Sequence, residues 1–257
     1  MRVFGRQYAA GRVCTFAVVL SAAVLFALSS SAAGDYIAYI TVEARSGDQA
    51  ATQVWAFPAT SGGQSQFVWS LDQPLILGGA NGILGTVEGL TIRMDGDPGV
   101  SLGFQVTAGG LPTDFTVTSS TVAFTPINGV LAYCSAGVTV TDVDSNGATL
   151  GGLFAGNKIY QAQYNAGPLV WASLLDNVLC PVDQTAVSGA RLPGLGRQVF
   201  ATTVSSIQSQ FKFSLTANDM ASGTSRFDVI PIPEPATLTL LLLGGGLAAF
   251  IRRRRKA

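Results

Sequence analysis

Alternation of apolar and polar residues in the middle of the chain restricts it to β-strands. Residues 100–107 read Val-Ser-Leu-Gly-Phe-Gln-Val-Thr, and residues 211–216 alternate in the same way. A period of two places the apolar side chains on one face of a strand, whereas a helix requires a period of 3.6 residues. No stretch between Gly34 and Val229 has a long helical period with capping residues. The pattern therefore predicts half-buried strands.

Short segments of the same character recur along the whole of residues 34–229. Gly, Ser, Thr, Ala and Val dominate there, which favours strands and turns over helices. About ten to twelve strands separated by turn residues predict a single antiparallel β-sandwich, of jelly-roll or immunoglobulin-like topology. Beside the two segments above, the candidate strands are residues 36–43, 52–57, 66–71, 86–94, 115–124, 136–141, 159–164, 169–174 and 198–204.

Turn residues between these strands predict hairpins. Asn81-Gly82, Asn128-Gly129 and Asn146-Gly147 readily take the positive φ that type I′ turns demand. Near the end of the domain, the strand at 211–216 is followed by Asn218-Asp219-Met220 and a return strand through Phe227 and Val229. We expect a closing hairpin there.

The first 33 residues predict a signal peptide. Arg2, Arg6 and Arg12 form a basic segment, residues 13–28 are apolar, and Ser31-Ala32-Ala33 supplies the small residues that signal peptidase reads. We expect signal peptidase to cleave before Gly34 and the chain to be exported. The alternative is an N-terminal helix that is not cleaved.

The C-terminal segment 230–257 has three parts in a fixed order. Pro231, Pro233 and Pro235 fix φ and remove backbone donors, so residues 230–235 are expected to be extended and outside any sheet. Residues 236–251 carry no charge, and a helix of that length would be roughly 24 Å long, short for a hydrocarbon core of about 30 Å. A basic tail, 252–257, keeps the end cytoplasmic by the positive-inside rule. This order predicts a transmembrane helix that serves as a temporary anchor, or else a permanent anchor with a proline-rich linker.

This C-terminal segment resembles the PEP-CTERM sorting signal of exosortase substrates. The resemblance implies that an exosortase-type membrane protease recognises Pro233, Glu234 and Pro235 and cleaves nearby, after membrane anchoring through the C-terminal helix. It also implies delivery to the cell surface or extracellular matrix and an association with exopolysaccharide and biofilm. By the same resemblance, Arg252, Arg253, Arg254 and Arg255 are also recognition residues of the sorting signal.

The neutral net charge of the whole chain hides an acidic domain. Of the 15 basic residues, eight lie in the two terminal segments, which leaves seven against 14 acidic residues in residues 34–229. A surface of this sign lacks the basic footprint that nucleic acid requires, so nucleic acid is not an expected partner. Metal cations and neutral glycans fit it better.

Two cysteines remain after removal of the signal peptide. Cys134 and Cys180 are the candidate disulfide pair, because an exported domain folds in an oxidising compartment. The alternative is a pair of buried free thiols that pack as small apolar side chains.

The chain contains no histidine, which excludes many forms of catalysis. Ser-His-Asp triads, Cys-His dyads and histidine-ligated zinc all need an imidazole. Glycoside hydrolysis needs only two carboxylates, but the two glutamates of the domain, Glu43 and Glu88, lie in no recognisable motif. We therefore expect a protein that is not an enzyme and has no resident cofactor.

One segment of the sequence resembles a metal-binding motif, and the metal is calcium. Asp142, Asp144, Asn146 and Gly147 spell D-x-D-x-N-G, the beginning of an EF-hand loop. The twelfth position is Leu153 instead of the required Glu. A turn in which Asp and Asn side chains bind their own backbone explains the same residues without a metal.

The expected function is that of a non-enzymatic cell-surface or matrix protein. Two alternatives remain. One is a carbohydrate-binding or adhesive module in which Trp55, Trp69 and Trp171 form a stacking platform, although tryptophan on strands more often packs in a core. The other is a secreted glycoside hydrolase.

Overall fold

A computed structural model describes residues 38–57, 66–80, 82–165 and 169–232 of the 257-residue chain. The predicted signal peptide, the predicted transmembrane helix and the basic tail lie outside the described residues. Among the residues that are described, there is no helix long and apolar enough to cross a membrane.

Fifteen β-strands and no helix make up the described part of the chain, and every strand pairing is antiparallel, so the prediction of an all-β antiparallel fold is confirmed. In chain order the strands are β1 Ala38–Ser46, β2 Gln49–Phe57, β3 Gln66–Ser70, β4 Leu75–Gly79, β5 Gly82–Asp95, β6 Gly99–Ala108, β7 Thr113–Ser119, β8 Val122–Thr141, β9 Ala148–Gly152, β10 Tyr160–Tyr164, β11 Leu169–Leu174, β12 Val178–Cys180, β13 Thr185–Leu192, β14 Gln198–Leu215 and β15 Met220–Pro231.

The strands belong to one continuous sheet that curls into two layers. The N-terminal halves of β8 and β14 pair with each other, and their C-terminal halves then diverge. The C-terminal half of β14 pairs with β7, β9 and β10, and β1, β2, β11 and β12 complete this first layer. The C-terminal half of β8 pairs with β13 and β15, and β6, β5, β4 and β3 complete the second layer.

Aromatic side chains fill the space between the layers. Phe104 of β6 lies 4.9 Å from Phe211 and 5.3 Å from Phe213 of β14, measured between ring centroids. Strands β6 and β14 are separated by β8 and β15 in the sheet order, so these contacts are made face to face across the core. Phe115 of β7 packs on Phe213 at 5.8 Å. Burial of each such ring contributes about 1.5 to 3 kcal/mol.

The alternation expected from the sequence matches the burial of the long strands. In β8, the side chains from Val130 to Val140 that carry even numbers are buried, and those with odd numbers face outward. Successive side chains of a strand point to opposite faces, so one face of β8 contributes to the core and the other to the surface.

The predicted closing hairpin is wrong. Strands β14 and β15 are consecutive but do not pair with each other, because Leu215 pairs within the first layer whereas Met220 pairs with Thr107 and Thr141 in the second. Residues 216–219 therefore connect the two layers. A hairpin and a connection between layers would bury the same alternate side chains of β14 and β15. The sequence pattern could not distinguish them and favoured the simpler hairpin.

Two of the predicted turns also differ from the structure. Asn128-Gly129 lies inside β8, where Gly129 has φ of 70° next to a shift in the β8–β14 register. Asn146-Gly147 lies between β8 and β9, which do not pair with each other. Both glycines have the expected positive φ, but neither forms a hairpin turn. Gly129 needs it for an irregularity inside a strand, and Gly147 needs it for an open loop. Gly82 closes the β4–β5 hairpin opposite Gly79, and Asn81 lies outside the described residues.

The start of the C-terminal segment belongs to the sheet, contrary to expectation. Ile230 pairs with Leu131 and Pro231 with Val130 at the end of β15. Strand β6 pairs with β15 only up to Asp228, so Pro231 has a neighbouring strand, β8, on one side only. A proline is tolerated there because it has no backbone N–H to donate to a second neighbour.

The candidate disulfide is absent, and the structure has two free, buried thiols. Cys134 lies in the middle of β8 between β13 and β15, whereas Cys180 lies in β12 beside β9. The two cysteines are thus on strands that do not pair with each other. The Cys180 thiol donates a hydrogen bond to the carbonyl oxygen of Gln184 at 2.9 Å.

Candidate functional sites

Three carboxylates meet where the β8–β9 loop touches the β14–β15 loop. Asp142 and Asp144, both predicted from the calcium-like pattern, are joined by Asp219, and one oxygen of each lies within 4.8 Å of the others. Asp142 and Asp219 are buried, with 7% and 0% of their surface exposed, and Asp144 is exposed. We call these three residues the acidic corner.

Backbone donors hold the Asp142 carboxylate. It accepts hydrogen bonds from the backbone N–H groups of Asn146 at 3.2 Å and Asp183 at 2.6 Å. Burial raises the pKa of Asp142, but backbone donation from Asp183, Gly147, Asn146 and Ser145 outweighs it, and the pKa lies below its ordinary value. The side chain is therefore ionised at neutral pH.

Asp219 connects the two loops. Its carboxylate accepts hydrogen bonds from the Val143 backbone N–H at 3.2 Å and from the Thr216 hydroxyl. Its backbone carbonyl accepts from the N–H of Ala108 at 2.9 Å. The sequence contained this residue only as part of a presumed hairpin loop, and because that hairpin was wrong, its proximity to Asp142 was missed.

Asn146, the third residue of the calcium-like pattern, lies beside Asp144. Its side-chain amide donates to Asp144 at 2.8 Å, and the amide of Asn218 donates to the same Asp144 oxygen at 3.3 Å. All three carboxylates of the acidic corner thus accept hydrogen bonds from the protein itself. Calcium binding at this corner stays a prediction.

The two glutamates do not share a cleft. Glu43 lies on β1 in the first layer and pairs with Arg45, whose side-chain nitrogen is 2.6 Å away. Glu88 lies on β5 in the second layer and accepts hydrogen bonds from Gln105 at 2.6 Å and Thr107 at 2.7 Å. Both occupy outward-facing positions of different layers, so they do not form the facing pair that a glycosidase needs.

A groove with a volume of about 450 Å³ crosses the outer face of the second layer. Thr91, Gln105, Thr139, Ser222 and Thr224 supply its polar groups, and no carboxylate lines it. Hydroxyl and amide groups of this kind can hydrogen-bond a polar ligand, but the groove contains no group that could act as an acid, a base or an activated nucleophile.

The tryptophans pack against other aromatic rings instead of forming a platform on one sheet face. Trp55 of β2 and Trp69 of β3 lie 5.9 Å apart between the edge strands of the two layers, and Phe57 lies 4.8 Å from Trp69. Trp171 stacks on Phe227 with ring centroids 5.5 Å apart and planes inclined by 9°. All three tryptophans are half-buried.

The last strand leads directly into the sorting segment. Strand β15 is an inner strand of the second layer, paired with β8 on one side and β6 on the other, and it ends at Pro231. One further described residue, Ile232, precedes the Pro233-Glu234-Pro235 motif. The motif residues and Arg252 to Arg255 lie outside the described part of the chain.

Comparison with solved structures gives only weak similarities. The structure of infectious bursal disease virus, Gx strain, is 10% identical over 77% of this chain and 58% of that chain, with a TM-score of 0.29. A mutant VP2 protein of infectious bursal disease virus, in T=1 particles, is 12% identical over 82% of this chain and 71% of that chain, with a TM-score of 0.09. The chain thus spans less than two thirds of the first of these, and TM-scores of this size do not establish a shared fold. No curated protein matches the chain.

A family model described as the PEP-CTERM protein-sorting motif matches residues 231–256. The match begins at the last residue of β15 and covers the proline motif, the apolar run and the basic cluster. The resemblance seen in the sequence is therefore confirmed, and the chain carries a PEP-CTERM sorting signal that makes it an exported, exosortase-sorted protein.

Proposed function

We propose that the β-domain is a non-enzymatic cell-surface or matrix protein that associates with exopolysaccharide after its sorting signal has been removed. The observation that carries this proposal is the junction at Ile232. Because β15 is complete at Pro231, cleavage at the Pro233-Glu234-Pro235 motif would release the domain without removing any strand residue. A folded module that survives loss of its anchor is suited to a role outside the membrane.

The chemistry of the described residues supports a role without catalysis. Histidine is missing from the whole sequence, Glu43 and Glu88 lie on different layers, and no carboxylate lines the groove on the outer face of the second layer. The carboxylates that do cluster, in the acidic corner, accept hydrogen bonds that join two loops. These features agree with a scaffold whose polar groups maintain the fold.

Alanine replacement of Pro233, Glu234 and Pro235 together tests the sorting route. The apolar run and the basic tail stay intact in this variant, so we expect it to remain in the membrane fraction with an uncleaved tail, detected by mass spectrometry. A control that replaces only Leu179 with alanine, an exposed residue of β12 outside the matched segment, keeps the motif and should be processed like the natural chain. Normal processing of the motif variant would contradict sorting and leave the tail as a plain anchor.

A further inference from the structure

The groove on the outer face of the second layer, which we call the outer groove, crosses five neighbouring strands. Its lining comes from β5, β6, β15, β8 and β13, in the order in which these strands pair. Adjacent strands lie about 4.8 Å apart, so the groove extends over roughly 19 Å. Its volume of about 450 Å³ is typical of ligand sites. This shape suits a segment of an extended chain.

Glycines form part of the floor of the outer groove. The cross-strand neighbours of one row are Thr91, Gly103, Thr224, Gly137 and Gly189. At Gly137 and Gly189, a Cβ atom would have its nearest neighbours 3.7 and 4.0 Å away, and neither residue has a positive φ. The fold therefore does not require glycine at these two positions, although glycine weakens a strand interior. Glycines of this kind mark places where a ligand or another chain approaches the backbone closely.

Free hydroxyl groups lie along the outer groove. The residues that supply them are Thr91, Thr139, Ser222 and Thr224. None of these four side chains hydrogen-bonds another group in the part of the chain that the structure describes. The outer face of the first layer differs, because Gln163 donates there to Gln161 at 3.3 Å and to Gln210 at 3.1 Å. A hydroxyl group both donates and accepts hydrogen bonds, so the groove is matched to a ligand that does the same.

The strands that form the outer groove have no net charge, although the domain as a whole is acidic. They contain three acidic and three basic residues, which are Glu88, Asp95, Asp228, Arg93, Arg191 and Arg226. Arg93 binds Asp95 at 3.1 Å, and Arg226 binds Asp228 at 2.8 Å. Among the described residues, none that lines the groove is charged. The groove therefore offers an ionic ligand of either sign no opposite charge.

The outer groove is also unsuited to a peptide or an apolar partner. Strands β6, β15 and β8 each have a paired strand on both sides at the groove, so their backbone groups are already engaged. A peptide that binds by β-strand addition needs an open sheet edge. Of the apolar side chains in the lining, Leu90, Phe104 and Val138 are buried and Val187 is exposed. The ligand that fits is uncharged, extended and rich in hydroxyl groups.

We propose that the outer groove binds a segment of a neutral polysaccharide chain. The chain lies across the strands on the glycine floor, and its hydroxyl groups exchange hydrogen bonds with Thr139, Ser222 and Thr224. This inference rests on the proposed association with exopolysaccharide and deepens it, because it names the site and the chemical class of the glycan.

Isothermal titration calorimetry of the full-length chain, in a detergent without a sugar headgroup, tests the proposal. The probes are two neutral polysaccharides, hydroxyethyl cellulose and dextran, and one anionic polysaccharide, alginate. Gly137→Val raises the floor of the groove, and Thr224→Val removes one hydroxyl group while keeping the shape of the side chain. Gly151→Val is the matched control, because Gly151 lies on β9 in the first layer and a Cβ atom there would be 4.0 Å from the nearest atom.

We expect the natural chain and Gly151→Val to bind a neutral polysaccharide equally well and not to bind alginate. Gly137→Val should weaken this binding by more than about tenfold, and Thr224→Val by about three- to tenfold through the loss of one hydrogen bond. Urea denaturation shows that each variant is folded, and Thr224→Val decides the matter if Gly137→Val is not.

Three results would overturn the inference, and they separate it from the proposed function. Unchanged affinity of folded Gly137→Val and Thr224→Val for the neutral polysaccharide would remove the outer groove as the site and leave the association with polysaccharide standing. Binding of alginate alone would overturn the neutral ligand and again leave the association. Binding of none of the three polysaccharides would overturn both the inference and the proposed association.

Discussion

Cys134 illustrates how the surroundings of a single residue decide its chemistry. It is fully buried in β8. Burial, together with the nearby negative charge of Asp228, raises the pKa of its thiol to about 12, although a hydrogen bond with the Leu192 backbone acts in the opposite direction. A thiol held in its neutral form is a poor nucleophile, so Cys134 serves as a small apolar side chain. The sequence could identify two cysteines in an oxidising compartment but not the strands that keep them apart.

Replacement of Cys134 by alanine should change the response of stability to alkaline pH. In the unfolded chain the thiol ionises near pH 8.5. The contribution of the neutral thiol to the free energy of unfolding is therefore complete below that pH and is lost as the pH rises toward the folded pKa. At pH 10 this loss is about 2 kcal/mol. Urea denaturation from pH 7 to pH 10 should show the stability of the natural protein falling toward that of Cys134→Ala. A difference that does not vary with pH would contradict this account, and sensitivity of the natural protein to a reducing agent would contradict the free thiols.

At the scale of elements, the long strands β8 and β14 determine the architecture. Each takes part in both layers, which is possible because irregularities in their pairing allow them to bend. Gly129, with φ of 70°, lies at such a point, and a Cβ atom there would come within 3.3 Å of the Ile232 side chain.

Gly129→Val should therefore destabilise the domain by about 1 to 3 kcal/mol, since a β-branched residue is strained at positive φ. Gly137→Val is the matched control in the same strand. A Cβ atom at Gly137 would meet only ordinary contacts, with the Ser188 carbonyl oxygen 3.7 Å away. Equal unfolding midpoints in urea for the two variants would show that β8 does not require glycine at position 129.

The sequence predicted where strands lie better than where they end or with what they pair. Alternation identified residues 100–107 and 211–216 correctly, because burial of one face requires it. The same alternation predicted a short strand at residues 136–141. In the structure, β8 covers 20 residues and passes through Asn128-Gly129. A turn signal describes local φ preferences, and these are equally satisfied inside a bent strand. The sequence predicted two carboxylates of the acidic corner, Asp142 and Asp144. It missed Asp219, because that residue reaches the corner through a contact with Val143, 76 residues away in the chain.

At the scale of the whole molecule, the boundary between domain and signal lies later than the composition suggested. Ile230 and Pro231 read as part of the proline-rich segment, yet both extend the pairing of β15 with β8. The folded domain and the sorting signal therefore meet without a spacer, and the position of cleavage decides whether the sheet remains complete.

Truncation before Pro233 should yield a domain as stable as the untruncated chain, because every strand is retained. Truncation before Ile230 removes the last two residues of β15 and exposes Leu131 and Val130, so we expect a loss of about 1 to 3 kcal/mol. Urea denaturation of the two truncated proteins measures the difference directly. Identical midpoints would mean that the end of β15 contributes nothing to the fold.

The position of β15 also determines how the domain responds to mechanical load. A pull on the C-terminus acts along the axis of a strand that has neighbours on both sides, β8 and β6. Hydrogen bonds perpendicular to the pull are loaded in shear and have to break together, whereas an edge strand pulled sideways opens one bond at a time. A load applied at this end would therefore be carried by the pairing of β15 with both β8 and β6.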